Sequence, residues 1–252
     1  MIRQLAFQGW LARLVAIAAC GAWCPVAWAA DSDRPLAVCL VSGSLEYQSN
    51  ETLAEFQKLL ESKYPVRCSR AFIEGKDETQ LPGLENLDQA DVMLLFTRRL
   101  KLSGEQLERF KRYCLAGKPI VGVRTASHAI QSWLELDKEV LGGNYHGHYS
   151  SSLDTDVTIV EAAKKHPILI GVLPFLSHGS LYKNEGLAAD DEILLRGTIP
   201  EHTEPVAWTR SYKGARIFYT SLGHPQDFQE PSFQNLLINA LFWTAKRSPV
   251  VR

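Results

Sequence analysis

The sequence predicts an α/β fold with a parallel, doubly wound sheet, and three observations support this prediction. Short apolar runs at 36–41, 91–96 and 119–123 lack polar alternation, which is typical of parallel strands covered on both faces. Apolar residues with helical spacing separate these runs. Strands that alternate with helices indicate a parallel sheet. After an N-terminal segment is set aside, about 220 residues remain, a length that favours one domain over residues 30–252.

The first half of the chain has a regular order of elements. We predict strands at 36–41, 66–72, 91–96 and 119–123, helices at 51–63 and 103–115, and a short helix or turn at 84–90. Ser103 is the expected N-cap of the second helix, with Gln106 three residues later as its capping-box partner. Gly117 follows as the stop signal.

The segment 119–130 is the centre of the predicted fold. An apolar strand ends at Val123, small residues form a sharp turn, and a helix is expected to begin near His128. The free N–H groups of such a helix would point above the sheet. Arg124 and His128 therefore lie at the carboxyl end of a strand, where open α/β sheets bind ligands.

The second half of the chain has longer loops. We predict a strand at 157–160, loops at 142–150 and 173–191, strands at 205–212 and 216–221, and a closing helix at 231–246. Lys213 and Gly214 form the expected hairpin turn between the last two strands. An irregular stretch as long as 173–191 is usually functional or disordered. One stripe of the closing helix carries Phe233, Leu236, Leu237, Ala240 and Trp243.

Residues 1–29 have the features of a secretory signal peptide. Arg3 and Arg13 carry positive charge without an acid, an apolar Ala-rich run follows, and Ala29 ends a cleavage site of small residues. We expect export to the periplasm or the extracellular space, with no stable membrane span, because no apolar run is long enough. Acylation of Cys20 as a lipoprotein is the second alternative, since it would leave only about six apolar residues in the signal core.

Charge and cysteine content exclude several classes of protein. Residues 30–252 hold 25 basic and 28 acidic residues, a net charge of −3, which does not favour a nucleic-acid or anionic-membrane partner. The three cysteines of this region, Cys39, Cys68 and Cys114, are an odd number and make no disulfide framework. We expect buried thiols, although one disulfide is compatible with the count.

Polar clusters follow strands or lie in adjoining loops, and their convergence predicts a functional site. The expected catalytic residues are His128, His148 and His224. The expected substrate contacts are Ser42, Glu46, Tyr47, Arg124, Tyr145 and Tyr182. Imidazole titrates near neutral pH and suits acid/base chemistry, whereas guanidinium suits carboxylates or sugar hydroxyls and tyrosine rings can stack on sugars. For each residue a structural role is the alternative.

His146 and His148 are also candidate metal ligands. Residues two apart in an extended segment face the same side, as two imidazole ligands of one divalent metal would. A solvated loop rich in Gly, Asn and His is the alternative. No cofactor other than a divalent metal is suggested.

The turn after Val123 does not have the residues of a nucleophile elbow. Arg124 occupies the position where a Ser or Cys nucleophile would stand. Ser127 and His128 are neighbours that would point about 100 degrees apart on a helix, and no third member of a triad is indicated.

Several segments resemble the ThuA-like (trehalose utilisation) family. They are Pro119-Ile-Val-Gly-Val-Arg-Thr-Ala-Ser-His128, Leu141-Gly-Gly-Asn-Tyr-His-Gly-His148, His166-Pro167, Pro205-Val-Ala-Trp208 and Arg216-Ile-Phe-Tyr-Thr-Ser-Leu-Gly-His224. They occur in the family's order, and the last segment is the most specific. The resemblance implies a three-layer, flavodoxin-like sandwich of the class I glutamine amidotransferase type. Because Arg124 replaces the elbow Cys, glutamine hydrolysis is not expected.

The resemblance also implies a role in carbohydrate breakdown, beside oxidoreductases that make 3-keto sugars. The first hypothesis is therefore an exported hydrolase, lyase or isomerase of a glycoside or keto-sugar, with a sugar oxidoreductase as a functional partner. The alternative is a non-catalytic sugar-binding domain or partner subunit. A homo-oligomer is compatible with either. A paired-carboxylate glycosidase is not favoured, because Glu46 and Glu185 have no visible partnership.

Overall fold

The computed structural model describes residues 34–251. The predicted signal peptide and Cys20 lie outside the described residues. Within them, Cys39, Cys68 and Cys114 are free thiols, and burial raises the pKa of the Cys39 thiol to about 11. No helix in residues 34–251 combines the length and the apolar character that a membrane crossing requires.

A single mixed sheet of nine strands organises residues 34–251. The strands are Leu36–Gly43 (β1), Val66–Phe72 (β2), Val92–Thr97 (β3), Ile120–Val123 (β4), Thr155–Ile159 (β5), Phe175–Ser177 (β6), Glu192–Ile199 (β7), His202–Tyr212 (β8) and Ala215–Thr220 (β9). Their order is β2-β1-β3-β4-β9-β8-β7-β5-β6. The first five strands in this order are parallel, and the remaining pairs are antiparallel. The predicted α/β class is confirmed, and the parallel part of the sheet carries an antiparallel extension.

The sheet is apolar on both faces. Successive side chains of a strand point to opposite sides, and in the buried strands successive residues are apolar. Val38 and Leu40 of β1 belong to one buried cluster, whereas Cys39 and Val41 belong to a second. Helices Ser49–Lys63 (α1) and Pro231–Thr244 (α3) contribute to the first cluster, and Gly104–Leu115 (α2) contributes to the second.

Four strand predictions in the first half of the chain agree with the structure to within two residues at each end, as does the last strand, β9. The strand predicted at 205–212 begins three residues earlier, at His202. The hairpin between β8 and β9 is also as predicted, with Lys213 at φ 49° and Gly214 at φ 82°. The sequence prediction omitted β7, and it assigned β6 to an irregular stretch. In β7, Arg196 and Gly197 interrupt the apolar run, and β6 has only three residues.

Two local predictions were wrong. The α-helix expected to begin near His128 is absent: a 3₁₀ helix spans Arg124–His128 instead, and Ile130 then pairs with Leu100 in an isolated parallel bridge. The capping box of α2 is also absent, because Gln106 accepts a hydrogen bond from the Leu81 backbone N–H at 2.9 Å instead.

Candidate functional site

A tight turn directly after β4 positions the centre of the candidate site. Arg124 has a φ of 47°, in the left-handed region that L-residues other than Gly, Asn and Asp rarely adopt. The loop after β9 passes close to this turn at Gly223, where a Cβ atom would lie 2.6 Å from Cγ1 of Val123. A residue without a side chain is therefore needed at 223, and its neighbour His224 is held beside the turn.

The Arg124 guanidinium is buried between two aromatic rings. It lies 4.5 Å from the ring centre of Tyr47 and 4.7 Å from that of Tyr182. It donates hydrogen bonds to the carbonyl oxygens of Ser221 at 2.7 Å and Ser180 at 3.3 Å. The side chain is only 1% exposed. In this conformation Arg124 joins three loops, and neither it nor the 3% exposed Tyr182 presents more than a small surface to a substrate.

His128 is a buried imidazole stacked on Tyr145. The two rings are 4.6 Å apart and inclined by 20°. Burial, and then the positive charges of Arg99, Arg98 and Arg124, lower the pKa of His128 to about 3. The ring is therefore neutral at neutral pH and cannot act as the acid that the sequence analysis considered. In residues 34–251 its Nε2 atom has no hydrogen-bond partner.

The expectation that Ser127 and His128 would diverge was wrong. Ser127 Oγ lies 3.0 Å from His128 Nδ1, and 3.4 Å from the Arg124 carbonyl oxygen. The two neighbouring side chains therefore meet through their own orientations, since a 3₁₀ turn separates successive residues by about 120°. No acidic side chain within the described range completes a triad through His128.

A cleft with a volume of about 350 Å³ opens beside His128. Its lining combines cationic, neutral and acidic groups: Arg99, Ser127, His128, Leu134, Asp137, Tyr145, His146 and Gly147. Three of the residues predicted from sequence, His128, Tyr145 and His146, thus line one cleft. Tyr182 lies next to this cleft. Its ring centre is 4.5 Å from the ring centre of Tyr145 and 6.4 Å from that of His148.

Sequence reasoning missed Asp137, which begins a π-helical turn, Asp137–Leu141, and lines the same cleft. Its Oδ2 accepts a hydrogen bond from the Tyr145 backbone N–H at 2.8 Å, and its buried Oδ1 has no partner. Burial raises the pKa of Asp137 to about 7, against the opposing effect of the Tyr145 bond. The loop at Gly143 packs against this carboxyl group so closely that a Cβ there would lie 2.1 Å from Oδ1 of Asp137.

We expect Asp137→Asn to stabilise the protein relative to wild type as the pH rises. The folded carboxyl keeps its proton up to about pH 7, whereas an unfolded aspartate loses it near 3.8. The folded state therefore binds more protons in this window, and the stability contributed by Asp137 falls as pH increases. Between pH 5 and pH 8 the variant should gain on the order of a few kcal/mol over wild type.

Urea unfolding of both proteins at these two pH values measures this difference. His128 contributes the opposite slope, since its lowered pKa adds stability as pH rises, but it is present in both proteins and cancels. A constant difference between the two proteins across pH would contradict the burial of an ionisable Asp137.

The loop with His146 and His148 pairs with the segment around Tyr182, and Gly147 between the two histidines has a φ of 124° rather than the extended conformation that was expected. His148 and Tyr182 form an antiparallel bridge. His146 Nδ1 lies 2.7 Å from the Asn144 carbonyl and His148 Nδ1 lies 2.7 Å from the Tyr149 carbonyl. A carbonyl oxygen only accepts hydrogen bonds, so each Nδ1 carries a proton and Nε2 is the ring atom that can hold a lone pair.

That tautomer suits a metal ligand, but the surroundings do not complete a metal site. In residues 34–251 no group of three or more His, Cys, Asp and Glu side chains is arranged to hold a metal ion. His146 and His148 alone do not meet the three or four protein ligands typical of zinc sites.

Other predicted site residues lie outside the cleft lining. Ser42 is fully buried and bonds to Ser49 and Asn50, while Glu46 forms an ion pair with Arg98 at 3.0 Å. His224 belongs to a second polar group. Its backbone N–H donates to Asp227 at 3.0 Å, and its ring lies 6.3 Å from that of His178. Burial lowers the pKa of His224.

The chain matches the sequence profile of the ThuA family, described as trehalose utilisation, over residues 38–244. The chain belongs to the ThuA family. The resemblance identified from the sequence motifs is thereby confirmed. No curated protein matches the chain in sequence.

Solved structures share the fold of this ThuA family member at low identity. A ThuA-like protein of Bacteroides uniformis is 17% identical, with a TM-score of 0.63 over 84% of this chain and 92% of that one. A ThuA-like protein of Parabacteroides merdae is 17% identical, with a TM-score of 0.64 over 87% and 93%. A β-galactosidase of Bacillus circulans sp. alkalophilus is 12% identical, with a TM-score of 0.58 over 85% of this chain but 32% of the enzyme. At these identities the likeness shows the fold alone.

Proposed function

We propose that this ThuA family member is an enzyme of carbohydrate catabolism, a hydrolase, lyase or isomerase that acts on a glycoside or keto-sugar. The observation that carries the proposal is the cleft in which a neutral imidazole, a carboxyl group of raised pKa and a tyrosine ring meet. Acid/base catalysis needs groups that hold and release protons near neutral pH, and Asp137 fits that need. The family's description as trehalose utilisation supports the substrate class.

Three side chains take distinct roles in this proposal. In this proposal the neutral His128 ring accepts a hydrogen bond at Nδ1 from the Ser127 hydroxyl, which lies 3.0 Å away. The proton of His128 is then on Nε2, where it donates to a substrate oxygen as charge develops. His146 lines the cleft, whereas His148 lies outside its lining. His146 can hold a lone pair on Nε2 and acts as the base in this proposal. Asp137 delivers a proton to the departing or rearranging oxygen.

The remaining predicted residues act around this centre. Tyr145 provides a ring for a sugar face, next to His128. Arg124 holds Tyr47 and Tyr182 and so positions the loops rather than the substrate. His224 supports the loop after β9 through Asp227. The proposed chemistry includes no step through a metal, since the described residues do not complete a site for one.

The wider setting of the enzyme is also a proposal. Export to the periplasm or extracellular space would follow from the signal peptide in residues 1–29. Helices from both clusters would cover the sheet as a three-layer, flavodoxin-like sandwich of the glutamine amidotransferase type. A sugar oxidoreductase would supply keto-sugars to this enzyme, and self-association would be compatible with the fold.

A sugar-binding protein without activity is the second candidate function. The observation in its favour is the group of rings around the cleft, where Tyr145 lies 4.6 Å from His128 and 4.5 Å from Tyr182. Aromatic rings of this kind bind sugar faces without chemistry.

Incubating the purified protein with trehalose, 3-keto-trehalose and simple 3-keto-glucosides, followed by mass spectrometry, tests both candidates. We expect at least one of these sugars to be consumed by wild type, much more slowly by His146→Ala, and at the wild-type rate by His166→Asn. His166 lies outside the cleft and accepts a hydrogen bond from Ile168, a capping role that asparagine can fill. Sugar binding without sugar consumption would show that the second candidate function, a sugar-binding protein, is correct. If the protein neither bound nor consumed any of these sugars, the carbohydrate proposal would be overturned.

A further inference from the structure

Arg99 is a partly exposed cation in the cleft, at the end of the loop that leaves β3. Its backbone has a φ of 47°, and its N–H donates to the His128 carbonyl at 2.7 Å. This bond and the neighbouring bridge between Leu100 and Ile130 attach the segment to the turn after β4. The left-handed backbone costs of order 1–2 kcal/mol for such a residue, so the surrounding contacts must hold it.

The Arg99 side chain has no carboxylate partner in the described part of the chain. Its Nη1 donates to the amide oxygen of Gln131 at 3.1 Å, which leaves other N–H groups of the guanidinium for a ligand. The two other arginines near His128 are already engaged. Arg98 pairs with Glu46 at 3.0 Å, and Arg124 is buried between rings.

The end of the cleft next to His128 is electropositive. The positive charges of Arg98, Arg99 and Arg124 all disfavour protonation of His128. The only carboxyl group in the lining is Asp137, which burial keeps largely protonated below about pH 7. A cationic cleft without a compensating anion favours an anionic ligand.

We propose that the cleft binds a sugar acid whose carboxylate pairs with the Arg99 guanidinium while the sugar ring lies against Tyr145. This inference rests on the proposed carbohydrate function and specifies its substrate class. A guanidinium presents its N–H groups as a planar fork that matches the two oxygens of a carboxylate. A single available guanidinium balances the single charge of a uronate, whereas a sugar phosphate approaches two negative charges near neutral pH.

Calorimetric titration of the purified protein with glucuronate, glucose and glucose 6-phosphate tests the inference. At low ionic strength, glucuronate should bind about tenfold or more tightly than glucose, because a hydrogen bond to a charged group adds that much. High ionic strength should weaken glucuronate binding and leave glucose binding unchanged. Arg99→Gln should remove the preference for glucuronate without weakening glucose. Arg67→Gln, at an exposed position of β2, should keep it.

The outcomes separate this inference from the function on which it rests. Equal affinity for glucose and glucuronate, or an equal loss of affinity for both in Arg99→Gln, would overturn the proposal that the ligand is a sugar acid. The proposed carbohydrate function would not be affected. Tighter binding of glucose 6-phosphate than of glucuronate would overturn the carboxylate in favour of a phosphate. If none of the three sugars bound, the sugar acid would be overturned, and the screen with trehalose and keto-sugars would decide the carbohydrate function separately. The salt dependence of wild type keeps the test decisive even if Arg99→Gln does not fold.

Discussion

Replacing His128 with alanine is expected to lower kcat about 100-fold to 1000-fold, the usual cost of removing one hydrogen-bond donor that stabilises developing charge. The imidazole is stacked on Tyr145 and lines the cleft, so its loss removes a contact made most strongly in the transition state. KM should change little, because ground-state binding by the tyrosine ring is retained. Steady-state kinetics on the sugar identified in the screen measure both quantities.

His166→Asn is the matched control for His128→Ala, since it also removes one imidazole but lies outside the cleft lining. The pH dependence of kcat/KM adds an independent readout. Because the pKa of His128 is lowered to about 3, the wild-type profile should show no limb from this residue between pH 5 and 8. A fall in affinity with unchanged kcat would show instead that His128 only binds the sugar.

Replacing Arg124 with alanine is expected to destabilise the protein by about 3–5 kcal/mol, the range for large-to-small changes at fully buried positions. The change removes a side chain that fills the space between Tyr47 and Tyr182. It also leaves the carbonyl oxygens of Ser180 and Ser221 without their donor. Urea unfolding at one pH measures the loss.

Arg124→Lys separates charge from shape in the same experiment. A lysine keeps the positive charge but has no planar fork to lie between two rings and serve two carbonyls, so an intermediate loss is expected. Arg67→Ala, at an exposed position, should stay within about 0.5 kcal/mol of wild type. A cost below about 1 kcal/mol for Arg124→Ala would show that the loops hold together without the guanidinium.

Strands β1, β3 and β4 could be predicted because their apolar runs are continuous and end at turn residues. The structure of the turn after β4 was harder to predict from the sequence. The residues after Val123 have no local feature that distinguishes a 3₁₀ turn from the start of an α-helix, and the pairing of Ile130 with Leu100 is a tertiary contact. The short β6 and the interrupted β7 depend on pairing with β5 and β8.

The candidate site shows the same division between local and tertiary information. His128, Tyr145 and His146 could be named because they follow predicted strand ends or lie in a polar loop, and they line one cleft. The burial of Arg124 could not, because it requires rings brought from distant parts of the chain. Asp137 was missed because nothing in its own sequence shows that the Gly143 loop closes over its carboxyl group.

The pairing of β4 with β9 affects the order in which contacts form during folding. Ile120–Val123 lies beside Ala215–Thr220, so the Arg124 bond to Ser221 closes a separation of 97 residues. Contacts between such distant segments form slowly, because the entropy of closing a long loop is lost before they are made. A chain emerging from synthesis would lack this bond between the turn after β4 and the loop after β9 until nearly all of the chain had been made.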